Sequence, residues 1–193
     1  MFVVGTALTL AIAGISPAAV PDASPACITM NTERMPLTAR RSTLDSLTFE
    51  VGGGLVKICY SRPSARGRTM IGGTAIPFGR LWRTGANEPT MIHTPVALNV
   101  AGIALAPGSY SLYTVPGETE WEVVVNGSIS QWGHESRYTD EVRAQELGRG
   151  KAPSSRMDEH VETLTIRSEP SNGAVNVLLE WEHTRVAIPV RAG

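Results

Sequence analysis

From Leu47 onward the chain alternates apolar and polar positions with a period of two. Leu47, Phe49 and Val51 alternate with Ser46, Thr48 and Glu50, and Val56, Ile58 and Tyr60 alternate with Lys57 and Cys59. Further runs carry Val96, Leu98 and Val100; Tyr110, Leu112 and Thr114; Trp121, Val123 and Val125; Leu164 and Ile166; Val175, Val177, Leu179 and Trp181; and Val186 and Ile188. Successive side chains of a strand point to opposite faces, so each run offers one apolar face to a core. Turn residues separate the runs: Gly52-Gly53-Gly54, Ala101-Gly102, Pro107-Gly108, Pro116-Gly117 and Asn172-Gly173. The last pair is a strong hairpin signal, because both residues tolerate the positive φ of a type I′ turn. About nine such runs, roughly a dozen residues apart, predict an all-β fold, an antiparallel sandwich or jelly roll. At most one short helix is predicted, over 139–147, with Thr139 as its cap and Gly148 as its stop.

Composition agrees with many short strands. The 193 residues include 13 Pro and 19 Gly, which interrupt the chain too often for long helices. With 18% charged and 42% hydrophobic residues, the chain has the material for a packed core. A net charge of −1 removes the electrostatic case for a nucleic-acid partner. Length and pattern place one domain over 44–193. Residues 27–43, with Arg34, Arg40 and Arg41, read as a flexible polar linker.

The N-terminus predicts export. Phe2–Ile15 is uncharged and apolar, too short for a comfortable membrane span, and small residues follow it. A cleaved signal over 1–26 would leave no stable membrane span and a periplasmic or extracellular protein. No Lys or Arg precedes the apolar stretch. Lipid anchoring at Cys27 is not expected, because Ser24 stands where a lipobox has a large aliphatic residue. An oxidising compartment would permit Cys27 and Cys59 to pair. The sequence leaves paired and free thiols both open.

Candidate chemistry concentrates where the alternation stops. Residues 61–88 carry five Arg against one carboxylate, Glu88, among many Gly and Pro. Guanidinium forks suit carboxylate or phosphate, and shaped loops on a rigid scaffold commonly carry function. Arg62, Arg66, Arg83, Asn87 and Glu88 are therefore candidate ligand-binding residues, with Trp82 to stack. A second loop would contribute Trp132 and His134. The competing reading makes this loop a structural clamp, since 15 of the 17 basic residues are Arg. No nucleophile elbow, phosphate-cradling loop or His-Glu-x-x-His is present, so no metal or cofactor is assigned. The favoured function is binding of a small polar or anionic ligand. One alternative is a hydrolase- or lyase-like enzyme with His134 or Glu88 as general base. The other is a structural envelope protein without a ligand.

Tyr60-Ser61-Arg62-Pro63-Ser64-Ala65-Arg66-Gly67-Arg68, followed by Pro77-Phe78-Gly79-Arg80-Leu81-Trp82-Arg83-Thr84-Gly85-Ala86-Asn87-Glu88, resembles the bacterial family known as domain of unknown function 2911 (DUF2911). The likeness continues through Leu105–Gly117, Trp121, Gln131-Trp132-Gly133, Tyr138, Val161–Ile166 and Leu179–Val186. The resemblance spans roughly residues 45 to 190, and several long motifs occur in order. It implies an exported, mostly β bacterial domain and no established activity. One departure lies at Gly148–Ser155, where the family has an apolar strand and this chain is polar and glycine-rich. Here the edge is expected to fray or to become a loop.

Overall fold

The structure, a computed structural model, describes Met1 and residues 25–193. The apolar stretch Phe2–Ile15, expected as the core of an export signal, lies outside the described residues. Among those described, nine strands form one antiparallel sheet. They are β1 (Thr43–Val51), β2 (Gly54–Arg62), β3 (Thr90–Thr94), β4 (Leu98–Val100), β5 (Ile103–Leu105), β6 (Gly108–Val115), β7 (Glu120–Asn126), β8 (Glu146–Ser171) and β9 (Ala174–Ala192). Their order is β1-β2-β3-β6-β7-β8-β9-β4-β5. The sheet doubles over along β8. Its first part, to Pro153, pairs with β7, and from Ser154 it pairs with β9. One layer therefore holds β1, β2, β3, β6 and β7, and the other holds β9, β4 and β5, as in the expected all-β sandwich.

The predicted apolar faces meet between the layers. Val56, Ile58 and Tyr60 of β2 and Trp121, Val123 and Val125 of β7 join Val177, Leu179 and Trp181 of β9 in one buried cluster. Burying a side chain of this size stabilises a fold by about 1.5–3 kcal/mol. Tight turns set the register. Asn172 and Gly173 both adopt positive φ, as a type I′ turn requires, and β8 pairs with β9 directly across them.

Four elements depart from the sequence expectation, the first being the short β5, which lies where no alternating run is read. Strand β3 was not anticipated because all five of its residues are buried, so no alternation marks it. The helix shrinks to α1 (Asp140–Arg143), capped by Thr139 as expected, and Gly148 lies inside β8. The segment Gly148–Ser155, expected as a frayed edge or loop, is a paired strand. Its inward positions are small: Gly148, Gly150 and Ala152. A Cβ on Gly150 would meet the Ala101 carbonyl oxygen at 2.0 Å, so the β4–β5 turn demands glycine there. Its outward positions, Arg149 and Lys151, pair with Glu122 and Glu120 of β7.

Residues 27–43 read from the sequence as a flexible linker, but the segment is tied onto the sandwich and its last residue, Thr43, opens β1. Cys27 and Cys59 form a disulfide with their Cα atoms 5.7 Å apart. A 3-10 turn at Leu37–Ala39 then delivers Arg40, whose side chain is fully buried. We call this segment the strap.

Candidate functional site

The 61–88 segment leaves β2 and returns at β3, and the side chains of Arg62, Arg83, Asn87 and Glu88 find partners within the protein. Arg62 donates from Nε to the Leu164 carbonyl oxygen at 3.1 Å and from Nη2 to Thr165 Oγ1 at 2.9 Å. Its Nη1 lies 3.2 Å from Asp45 Oδ2. One guanidinium thus joins β1, β2 and β8. Arg66 sits in a left-handed turn with φ 54°, and its backbone N–H donates to Glu162. Glu182, also at positive φ, accepts the N–H groups of Met70 and Ile71, which fastens the middle of the loop.

Trp82 belongs to the core. Its ring stacks on Trp181 at 5.9 Å and meets the edge of Trp121 at 6.1 Å. Only 4% of the residue is exposed, and its indole N–H donates to the Gly85 carbonyl oxygen. The expectation that it offers a stacking face to a ligand is corrected by this burial.

Asn87 and Glu88 seal the end of the loop. Asn87, at φ 60°, donates from Nδ2 to the Ser42 carbonyl oxygen and to Ser61 Oγ, each at 3.0 Å. Its own carbonyl oxygen accepts the Gly133 N–H. The backbones pass so closely that a Cβ on Gly133 would stand 2.4 Å from that oxygen. Glu88 accepts Arg40 Nη1 on both oxygens, at 2.9 and 2.7 Å, and the Met30 N–H at 2.6 Å. At 5% exposure it has no face toward solvent from which to act as a base.

Arg83 donates from Nη1 to Glu135, 3.0 Å from Oε1, and its buried Nε has no partner among the described residues. His134 is exposed and caps the 3-10 turn Glu135–Arg137. Its Nδ1 accepts the Ser136 N–H at 3.2 Å and lies 2.8 Å from Ser136 Oγ. The eight candidates do not line one hollow. Arg62, Arg83, Asn87 and Glu88 fall into separate closed networks because each is matched by a carboxylate, hydroxyl, carbonyl or guanidinium from another element, whereas Arg66 and His134 are exposed and Trp132 stands apart.

An open cleft of about 560 Å³ lies beside these networks. Trp132 is the one sequence candidate that lines it, with Asn31, Arg34 and Met35 from the strap and Gln131 and Arg137 from the second loop. The strap wall is a turn. Asn31 adopts φ 54°, which Asn tolerates better than most residues, and its carbonyl oxygen accepts the N–H groups of Arg34 and Met35. Arg40 lies 5.9 Å over the Trp132 ring while its Nη1 holds Glu88, so one buried cation supports the aromatic wall. Gln131 is fixed by donating to Tyr113 Oη at 2.9 Å and accepting from Ser128 Oγ at 2.7 Å. Burial pushes the Tyr113 phenol up to about 12, so this anchor stays protonated at neutral pH. Among the described residues, no carboxylate or carbonyl engages the guanidinium of Arg34 or Arg137.

The sequence signal for this cleft was partial. In sequence Arg34 reads only as a linker cation, because the strap's folding depends on a disulfide and an ion pair to distant residues.

No curated protein and no solved structure matches the chain. A family model described as "Protein of unknown function (DUF2911)" matches residues 42–190, so the strap wall stands before the matched span while Trp132 and Arg137 stand within it. The chain belongs to the DUF2911 family across most of its length.

Proposed function

We propose that the protein is an exported binding module for a small polar or anionic molecule. The ligand would sit between the strap turn and the 131–137 loop. The carrying observation is a pair of guanidiniums, Arg34 and Arg137, that line one cleft beside Trp132 and have no partner among the described residues. A lone surface arginine is ordinarily solvated. Two from separate segments, set in a concavity with an aromatic wall, match the recipe of a ligand site: apolar surface with a few placed polar groups. The cleft volume of about 560 Å³ is in the range of small-molecule sites.

Binding is favoured over turnover by the lining itself. Asn31, Arg34, Met35, Gln131, Trp132 and Arg137 include no group that exchanges a proton near neutral pH. Export is supported by the apolar Phe2–Ile15 stretch and by the Cys27–Cys59 disulfide, which suits an oxidising compartment.

The test is a calorimetric titration of the oxidised protein with citrate, galacturonate, a sugar phosphate and a neutral hexose. Acidic compounds should bind more tightly than the neutral sugar. Arg137→Ala should weaken the best of them by about 10- to 100-fold, the worth of one charge-assisted hydrogen bond. Binding that ignores both Arg34→Ala and Arg137→Ala would overturn the assignment.

A further inference from the structure

The cleft is built from two pieces of chain held together unequally. The 131–137 loop is rooted in the sandwich by Gln131, by the Gly133–Asn87 hydrogen bond and by the Glu135–Arg83 pair. The strap wall, 31–35, hangs between two fastenings. On its far side Arg40 donates to the Met35 carbonyl oxygen. On its near side Met30 gives its N–H to Glu88 and accepts Arg40 on its carbonyl oxygen, and beyond it stands the Cys27–Cys59 disulfide.

Resting on the binding reading above, we propose that the cleft takes an acidic small molecule whose carboxylate or phosphate bridges Arg34 and Arg137, and that this binding is coupled to the Cys27–Cys59 disulfide. An acid fits because the lining offers two guanidiniums and no carboxylate. Its anionic group would join Arg34 of the strap to Arg137 of the rooted loop, adding to the contact that Arg40 makes over Trp132. The disulfide does the complementary work. It holds the strap where Arg34 can face Arg137.

Reduction requires an external dithiol. A thiolate of the dithiol attacks the half-buried Cys27 sulfur, because Cys59 is sealed at 3% exposure. The Sγ–Sγ bond breaks and Cys59 leaves as a thiolate that takes a proton. The second thiol of the reductant then displaces Cys27, which is also protonated. The protein gains two electrons and two protons, and the reductant becomes a disulfide. The near side of the wall is then held by the two Met30 hydrogen bonds alone, and Arg34 is placed less firmly. Coupling of this kind is reciprocal: if reduction weakens acid binding, bound acid must oppose reduction by the same factor.

The experiment compares oxidised protein, protein reduced with dithiothreitol, and the Cys27→Ala/Cys59→Ala double variant. Citrate and inorganic phosphate are titrated by calorimetry at low ionic strength, with hydrogen exchange followed over residues 28–36. The proposal predicts that reduction and the double variant each weaken citrate binding roughly tenfold or more. Exchange over 28–36 should rise while the strands keep their protection. Excess citrate should slow dithiothreitol reduction of the wild type. In the reduced protein, Arg34→Ala should cost little further affinity. Equal affinity in both redox states, or unchanged exchange over the strap, overturns the coupling and leaves the binding site standing. If neither anion binds the oxidised protein, the coupling falls together with the reading it rests on.

Discussion

Arg40 and Glu88, 48 residues apart, form an ion pair with Nη1 to Oε2 at 2.7 Å, and the side chains are 0% and 5% exposed. The same guanidinium lies over Trp132 and holds the carbonyl oxygens of Met30 and Met35, so one buried cation joins the strap, the 61–88 loop and the cleft wall. Removing one member of such a pair leaves the other charge buried and uncompensated. Glu88→Ala should therefore destabilise the protein by about 3–5 kcal/mol. Arg40→Met/Glu88→Leu should recover much of that loss. Urea unfolding of the single and double variants measures both.

The four tryptophans separate core from site. Trp82 packs between Trp121 and Trp181, so Trp82→Ala should cost about 3–5 kcal/mol. Trp132, half-buried at the cleft, should tolerate alanine with a much smaller loss of stability while acid binding falls. Thermal melting paired with calorimetry checks the contrast.

The strands were legible where apolar and polar residues alternate, as in Leu47–Val51, whose Phe49 and Val51 are buried while Glu50 is exposed. Strand β3 was hidden because burial on both faces erases the alternation. The start of β8 was hidden for the opposite reason: its inward residues are glycine and alanine, which carry no hydrophobic signal. The motif containing Trp82, Arg83, Asn87 and Glu88 was legible as special, but its role was not. Arginine in a loop has the same local appearance whether it awaits a ligand or clamps the fold. The deciding partners, Leu164 for Arg62 and Arg40 for Glu88, are about a hundred and about fifty residues away in sequence.

His93 predicts a pH dependence. It is 2% exposed on β3, its Nδ1 lies 2.7 Å from Ser109 Oγ, and its Nε2 has no partner among the described residues. Burial, then the nearby charge of Lys57, lowers its pKa below the usual 6.5. The unfolded chain thus binds a proton at higher pH than the folded protein does. Stability is fully present above about pH 6.5 and declines as pH falls from there toward the folded pKa, by at most about 1.4 kcal/mol per pH unit. His93→Gln should flatten this slope. Melting temperatures measured between pH 8 and pH 5 show whether it does.

The disulfide should contribute to stability as well as to the cleft. Cys27 and Cys59 are separated by 32 positions, and closing a loop of that size stabilises a fold by about 3–4 kcal/mol in the chain-entropy model. Cys27→Ala/Cys59→Ala should unfold at lower urea concentration while keeping the far-ultraviolet signature of a β-sheet before the transition.

The account stands on the cleft between Arg34 and Arg137, and its most direct test is the indole N–H region of a ¹H–¹⁵N spectrum. Four tryptophans give four signals. Titration with citrate and the other acidic compounds should move the Trp132 signal in a saturable way and leave those of Trp82, Trp121 and Trp181 in place, and Arg34→Ala/Arg137→Ala should abolish the shift. A Trp132 signal that stays still with every acid, or that moves equally in the double variant, would contradict it.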